Sequence, residues 1–382
     1  MRGGRFPRLA VVSHSAVEES YRRKWELVAQ SGWEVLLLVP PAWPEAGRMI
    51  RARPVSRGRL TVETVDGLWA GHVARWLPFQ LFRRLSEFRP GLIHAEEEFF
   101  SLSCWAASRS ARSLGVPFTF FTWENIRRRY RLLQEMMVPR LLSRASGALV
   151  GNRDGVRVLR NRGFRGPVAI VPQYGVDPRE FRPRPRVACR RAMGWPVSGK
   201  VVGFVGRFVP EKGIGTLVFA VARLGPGVRL VLAGSGPMEA ELRRMAVKLL
   251  PGRTIFQRPL PRSRMPILLG ALDALVLPSR TTAVWKEQFG RVLAEAMACG
   301  RLVIGSSSGE IPAVISDPRL VFREGDGAGL AGKLDAMVMR GGARRLTARL
   351  RARALARYSE ASVSSRTHLF LKSVVDSTHP RL

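Results

Sequence analysis

The alternation of short apolar runs with helical stretches is the feature that most narrows what this chain can fold into. Leu9–His14 and Glu34–Val39 are brief apolar runs that end in turn signals, with a helical stretch over Glu18–Gln30 between them. Strand, helix and strand in that order form a β-α-β unit and predict a parallel sheet. Leu92–His94 and Pro117–Thr122 continue the series around a helix over Leu102–Leu114, and Ala148–Val150 and Val168–Val171 close it. A connection rich in proline and arginine follows from Pro178 to Pro196. Beyond it, Val201–Val205, Arg229–Ala233, Thr254–Gln257, Ala274–Leu277, Leu302–Ile304 and Leu320–Phe322 alternate with helical segments as a second complete set. The 382 residues exceed what a single core usually organises. The expected architecture is α/β: two Rossmann-like, doubly wound parallel-sheet domains facing across a cleft. They cover 1–177 and 178–358, and a helix in 359–382 returns to the first domain.

Composition excludes more than it identifies. No apolar run approaches the ~20 residues of a membrane helix, and Leu9–Val12 is too short for the core of a signal peptide. Three scattered cysteines, Cys104, Cys189 and Cys299, have no zinc-site spacing, and their number and placement point to a reducing, cytoplasmic compartment. The formal charge is +34, carried by 63 basic residues of which seven are lysine. A compositional arginine bias, attraction to an anionic membrane surface and nucleic-acid binding all fit that charge. No nucleic-acid motif accompanies it. Ile126–Ser143 reads as one helix with leucine and methionine under an arginine-rich face, packed on a core or lying on a membrane.

Chemistry concentrates where strands end. Gly203–Gly213 (GFVGRFVPEKG) lacks the Lys-Ser/Thr ending of a P-loop. It leaves Gly206 for close backbone approach and two cations, Arg207 and Lys212, suited to a diphosphate. In LVLAGSGP, Gly234 and Gly236 make a tight strand-to-helix turn, but Glu239 occupies the third glycine of a dinucleotide fingerprint. In Leu275–Gly305 a strand ends at Pro278-Ser279. Glu287, Gln288, Phe289 and Gly290 then precede a helix containing Glu295. Either carboxylate can accept two sugar hydroxyls at once, while Arg291 offers Glu295 an ion pair one turn away. His14 and His94 stand at strand ends, with cleft-lining and structural roles both open, and Glu96-Glu97-Glu98 reads as a solvated loop in preference to a lining of the acceptor side.

Together GRFVPEKG, LVLAGSGP, EQFGRVLAEAMACG and LVIGSSSGEIP resemble the family 4 (group 1) glycosyltransferases of the GT-B fold, most specifically in the E-x7-E spacing of Glu287 and Glu295. The resemblance covers residues 200–325, with Pro172–Phe181 similar to the family's interdomain segment, and is looser over the first domain. It implies a retaining, metal-independent transfer of a hexose from a nucleoside-diphosphate sugar to a hydroxyl acceptor in glycan, polysaccharide or glycolipid synthesis. Arg207 and Lys212 would contact the diphosphate, Glu287 the sugar and Glu295 the ribose. Gln288, Phe289, Gly290, Gly206 and Gly234 would complete the donor site. The first domain departs from the pattern. Ser13-His14-Ser15-Ala16 lacks the family's glycines, and Thr122-Trp123-Glu124-Asn125 lacks its histidine, so His14, Glu124 and Asn125 are the acceptor-side candidates. After Gly309-Glu310-Ile311-Pro312 the frequent acidic residue is Ala313. A sugar-nucleotide epimerase, a glycoside phosphorylase or a non-catalytic basic protein binding membrane or nucleic acid are the competing readings.

Overall fold

A computed structural model describes residues 7–45, 48–341 and 344–378. The chain divides into two compact units, Met1–Gly175 with Glu360–Leu382, and Val176–Ser359. The arginines at positions 2 and 5 ahead of the first strand, and the expected helix start at Ala343, lie outside the described residues.

The first unit is built on an eight-stranded sheet. From edge to edge its strands are Val168–Ile170, Gly147–Val150, Phe118–Thr122, Leu92–Ala95, Arg8–Val12, Glu34–Val39, Leu60–Thr64 and Val55–Arg57. All neighbours are parallel except the last pair. Leu9–Val12 and Leu37–Val39 are fully buried. Strands covered on both faces read as unbroken apolar runs, which is why they were visible in the sequence. The two strands over 55–64 were not expected: the first is exposed along its whole length and carries no apolar run. Glu360–Thr378 is one helix, and it buries Val363, Leu371 and Val374 in this unit. The Trp33 indole also donates to His368 Nδ1 at 2.9 Å.

The helix expected over Ile126–Ser143 begins only at Leu132 and ends at Leu142. Glu135 and Gln134 reach back to accept from the backbone N–H groups of Tyr130 (2.7 Å) and Arg131 (3.3 Å), and so stop the helix there. It buries Met137, Val138, Leu141 and Leu142 and leaves Leu132 and Leu133 79% and 60% exposed.

The second unit holds a six-stranded, wholly parallel sheet in the order Thr254–Gln257, Val228–Ala233, Lys200–Val205, Ala274–Leu277, Leu302–Ser306, Val321–Phe322. The order runs outward in both directions from Lys200–Val205, the doubly wound arrangement. Among the described residues no helix is long and apolar enough to cross a membrane.

Candidate functional site

In a doubly wound sheet, the two chains leaving the strands at the point of order reversal diverge and open a crevice at the carboxyl ends. In the second unit those strands are Lys200–Val205 and Ala274–Leu277. The first leads through Gly206, Arg207 and Phe208 into a short 3-10 turn, Pro210–Lys212. The second leads through Pro278 and Ser279 into the loop that carries Glu287. The two loops meet: Lys212 Nζ lies 2.7 Å from Glu287 Oε2, and the Ser279 hydroxyl donates to the same oxygen at 2.7 Å. The ammonium also sits 4.8 Å from the centre of the Trp285 ring. Both charged side chains are largely withdrawn from water. Arg280 N–H donates to the Glu211 carbonyl at 2.8 Å and ties the loops together behind the pair.

Glu287 is braced by the turn after the next strand. Its carbonyl accepts from Glu310 N–H at 3.1 Å. Gly309 has φ +51°, and a Cβ there would lie 2.0 Å from that carbonyl, so a side chain at 309 would displace the Glu287 backbone. Gly234 plays a related part, because a Cβ on it would fall 1.9 Å from the Gly206 carbonyl. The two glycine turns can therefore nest side by side at neighbouring strand ends.

Arg207 is exposed and, among the described residues, its guanidinium has no ion-pair or hydrogen-bond partner. Glu295 makes the helix ion pair with Arg291 (Nε to Oε1, 2.9 Å), and Arg262 reaches the same oxygen at 3.4 Å. Gly290 caps the helix Arg291–Ala298 with φ +75°. Gln288 is half-buried. The buried Phe289 ring meets Tyr358 edge-on with centroids 5.2 Å apart.

The first unit repeats the device with different residues. Its order reverses between Arg8–Val12 and Leu92–Ala95. His14, beyond the first strand, bonds Glu97, beyond the second: Nδ1 lies 2.8 Å from the carboxylate and the backbone N–H donates at 2.6 Å. Burial pulls the His14 imidazole down, the Glu97 carboxylate outweighs it, and the net shift is upward. The run Glu96–Glu98 is therefore not a solvated loop. Glu96 and Glu97 are each 1% exposed. Glu96 pairs with buried Lys24 (Oε2 to Nζ, 2.7 Å) and lies 3.3 Å from His94 Nε2. His94 is a core residue, closed off by Thr119 at 2.9 Å.

His14, Glu96 and Glu97 line a cavity of about 340 Å³ whose walls also include Trp43, Glu98, Trp123 and Gln173. Trp123, not Glu124 or Asn125, reaches it. The indole donates to Gln173 Oε1 at 2.7 Å, and Gly151 leaves room for the ring. Glu124 and Asn125 are buried elsewhere, Glu124 beside Arg128 at 3.2 Å, so the structure does not bring them together with His14. Gln173 falls inside the Pro172–Phe181 motif, which the sequence did signal; Trp43 lay in a stretch with no signal.

Burial pushes the Glu98 carboxyl up to about 7, against hydrogen bonds from the Thr122 hydroxyl and the Trp123 N–H that pull it down. A carboxyl raised on folding contributes stability that is complete below its unfolded value and is lost as pH rises through about 7. Glu98→Gln is expected to flatten the fall of melting temperature between about pH 5 and about pH 8. Thermal unfolding across that range checks it, and a variant with the wild-type slope refutes it.

Residues 188–354 match the group 1 glycosyl transferase family model. This segment is a group 1 glycosyltransferase domain. The D-inositol 3-phosphate glycosyltransferase of Mycobacterium leprae (strain Br4923) is 35% identical over 185 residues, covering 46% of this chain and 42% of that protein. The enzyme of the same name from Mycobacterium tuberculosis (strain F11) is 35% identical over 185 residues, again 46% of this chain and 37% of that protein. The chain thus spans well under half the length of these curated relatives. Sucrose-phosphate synthase from Thermosynechococcus elongatus superposes with a TM-score of 0.75 at 21% identity, over 97% of this chain and 100% of that one. The HepE protein of Anabaena, in complex with UDP, gives 0.74 at 18%, over 96% and 100%. The group 1 domain and the unit that precedes it together have the GT-B fold. Within the domain, the Lys212–Glu287 pair and the nested glycines stand in loops that follow strand ends, and Glu295 lies in the helix Arg291–Ala298 that comes after the Glu287 loop. Among the described residues no three His, Cys, Asp or Glu side chains are grouped to hold a metal ion.

Proposed function

We propose that the chain is a retaining glycosyltransferase that moves a hexose from a nucleoside-diphosphate sugar to a hydroxyl of an acceptor. The observation that carries the reading is the contact of Lys212 with Glu287 at the point of strand-order reversal, beside an exposed Arg207. A cation and a carboxylate held against each other suit a ligand with an anionic diphosphate at one end and hydroxyls at the other. The diphosphate draws Lys212 and Arg207, and Glu287, freed from part of its ion pair, accepts from sugar hydroxyls. Glu295, with Arg291 and Arg262 on one oxygen, keeps its other oxygen for ribose hydroxyls. As the bond from the anomeric carbon to the phosphate oxygen breaks, its electron pair goes to the diphosphate, where the two cations stabilise the added charge without a metal. The acceptor oxygen bonds the same carbon, and its proton passes to the departing phosphate oxygen. The relatives named as glycosyltransferases, and the HepE neighbour with UDP and with UDP-glucose, support a donor of this class.

A thermal-shift screen of UDP, GDP and ADP tests the donor. A ligand bound only by the folded protein at a hundred times its dissociation constant adds about 2.7 kcal/mol of stability. At least one diphosphate is expected to raise the melting temperature and its sugar conjugate to raise it further. If none of the three moves it, the donor assignment fails.

A further inference from the structure

The cavity of the first unit concentrates negative charge in a chain that is strongly positive. Of 29 acidic residues, Glu45, Glu96, Glu97 and Glu98 line it, whereas none of the 63 lysines and arginines is among its described lining residues. Partners already hold these carboxylates in place: Lys24 on Glu96, His14 on Glu97, the Tyr21 hydroxyl on Glu45 at 3.1 Å, and Thr122 with Trp123 on Glu98. Each carboxylate oxygen has lone pairs for more than one donor, and Glu98, raised to about 7, joins the others as an acceptor once ionised, so the lining as a whole offers mainly acceptors. Much of the remaining wall is aromatic, from Tyr21, Trp43, Phe121, Trp123 and Tyr174. Tyr21 stacks on Tyr174 with centroids 4.1 Å apart, and Trp43 lies 4.5 Å from the His14 ring.

Aromatic faces and fixed acceptors side by side match a pyranose ring, whose C–H face is apolar and whose rim is a set of O–H donors. A phosphate is the opposite case. Its oxygens only accept, the carboxylates repel them, and the one lining cation, the His14 imidazolium, is engaged by Glu97. We propose that this cavity receives the acceptor as an uncharged sugar and rejects phosphorylated acceptors. The word acceptor rests on the transferase reading above; the carbohydrate selectivity does not. The mycobacterial relatives are named for an inositol phosphate, and the charge around this cavity points to a different acceptor class.

Ligand-observed saturation-transfer NMR on the whole chain decides the matter, with maltose, glucosamine, glucose 6-phosphate and inositol phosphate as probes and UDP, GDP and ADP as a separate arm. Saturable binding of maltose is expected, with the two phosphates weaker by roughly tenfold or more. Glu45→Lys, at a half-exposed position on the rim, is expected to narrow that gap by tightening the phosphates. Phosphates binding as well as maltose would overturn the proposal. So would a tenfold preference for glucosamine, or no maltose signal from protein that binds a nucleotide. Maltose bound selectively by a protein that binds no nucleotide would sustain the selectivity and sink the transferase reading.

Discussion

Lys212→Ala and Glu287→Gln are each expected to lower turnover roughly a hundred- to a thousandfold with whichever nucleotide sugar stabilises the protein, while the fold is kept. Lys212 supplies a point charge where the leaving diphosphate gains charge. Glu287 supplies a carboxylate that the Ser279 hydroxyl holds in position, on a backbone whose carbonyl accepts from the Glu310 N–H. The two losses differ in kind. Lys212→Ala leaves the Glu287 carboxylate with the Ser279 hydroxyl and without its cation, so some loss of melting temperature accompanies the loss of rate. Glu287→Gln keeps a hydrogen-bonding side chain of the same shape and is expected to leave nucleotide binding and melting temperature near wild type. Single-turnover rates, nucleotide affinity and melting temperature measured on both variants separate these effects. Near-normal turnover in both would remove Lys212 and Glu287 from the chemistry.

A larger effect on stability is expected at the buried pair of the first unit. Lys24 and Glu96 are 4% and 1% exposed, and the Lys24 ammonium lies 4.5 Å from the centre of the Trp25 ring. Lys24→Met is expected to cost about 3–5 kcal/mol, because it strands a carboxylate whose remaining contact is His94. The double variant Lys24→Met with Glu96→Gln removes both charges and is expected to recover much of that loss. The pH dependence has a definite sign. Burial raises the Glu96 carboxyl, the Lys24 charge outweighs it, and the net shift in the fold is downward. Its contribution is therefore present above the ordinary carboxyl range and is lost as pH falls through the folded value. Without Lys24 the carboxyl takes up its proton at higher pH, so the deficit of Lys24→Met is full near neutrality and closes on acidification. Denaturant unfolding of the three proteins at several pH values measures this. A deficit that is constant with pH, or a double variant as weak as the single, would contradict the electrostatic account.

Neither pair could be paired from the sequence. Lys212 and Glu287 are 75 positions apart, and Lys24 and Glu96 are 72 apart. Lys212 was visible as a cation after a strand, and Glu287 as a carboxylate before a helix, because both stand beside turn signals. The same reasoning found the Arg291–Glu295 bridge in full, since residues four apart on a helix are neighbours by geometry. It missed Arg262, which comes to Glu295 from another segment. Glu96–Glu98 was misread because three successive carboxylates have the composition of a solvated loop. In the fold, Lys24, His14 and the adjacent Thr122 and Trp123 come from three other places to satisfy them. Glu124 and Asn125 were named as stand-ins for the family's histidine, yet the neighbouring Trp123 indole is the side chain that reaches the cavity.

By itself, the order of residues determined the α/β class, the series of parallel strands with their helices and the glycine turns. It also placed Glu287 in the loop ahead of a helix and Glu295 inside that helix. Each of these depends on neighbours in the chain: buried parallel strands are continuous apolar runs, and turns need glycine or proline where the backbone reverses. Tertiary structure alone decided which strand ends lie together, and with them the Lys212–Glu287 contact, the His14–Glu97 contact and the acidic, aromatic-walled cavity. Strand order in a sheet is set by how helices pack over its two faces, and the period of an apolar run carries no record of that choice.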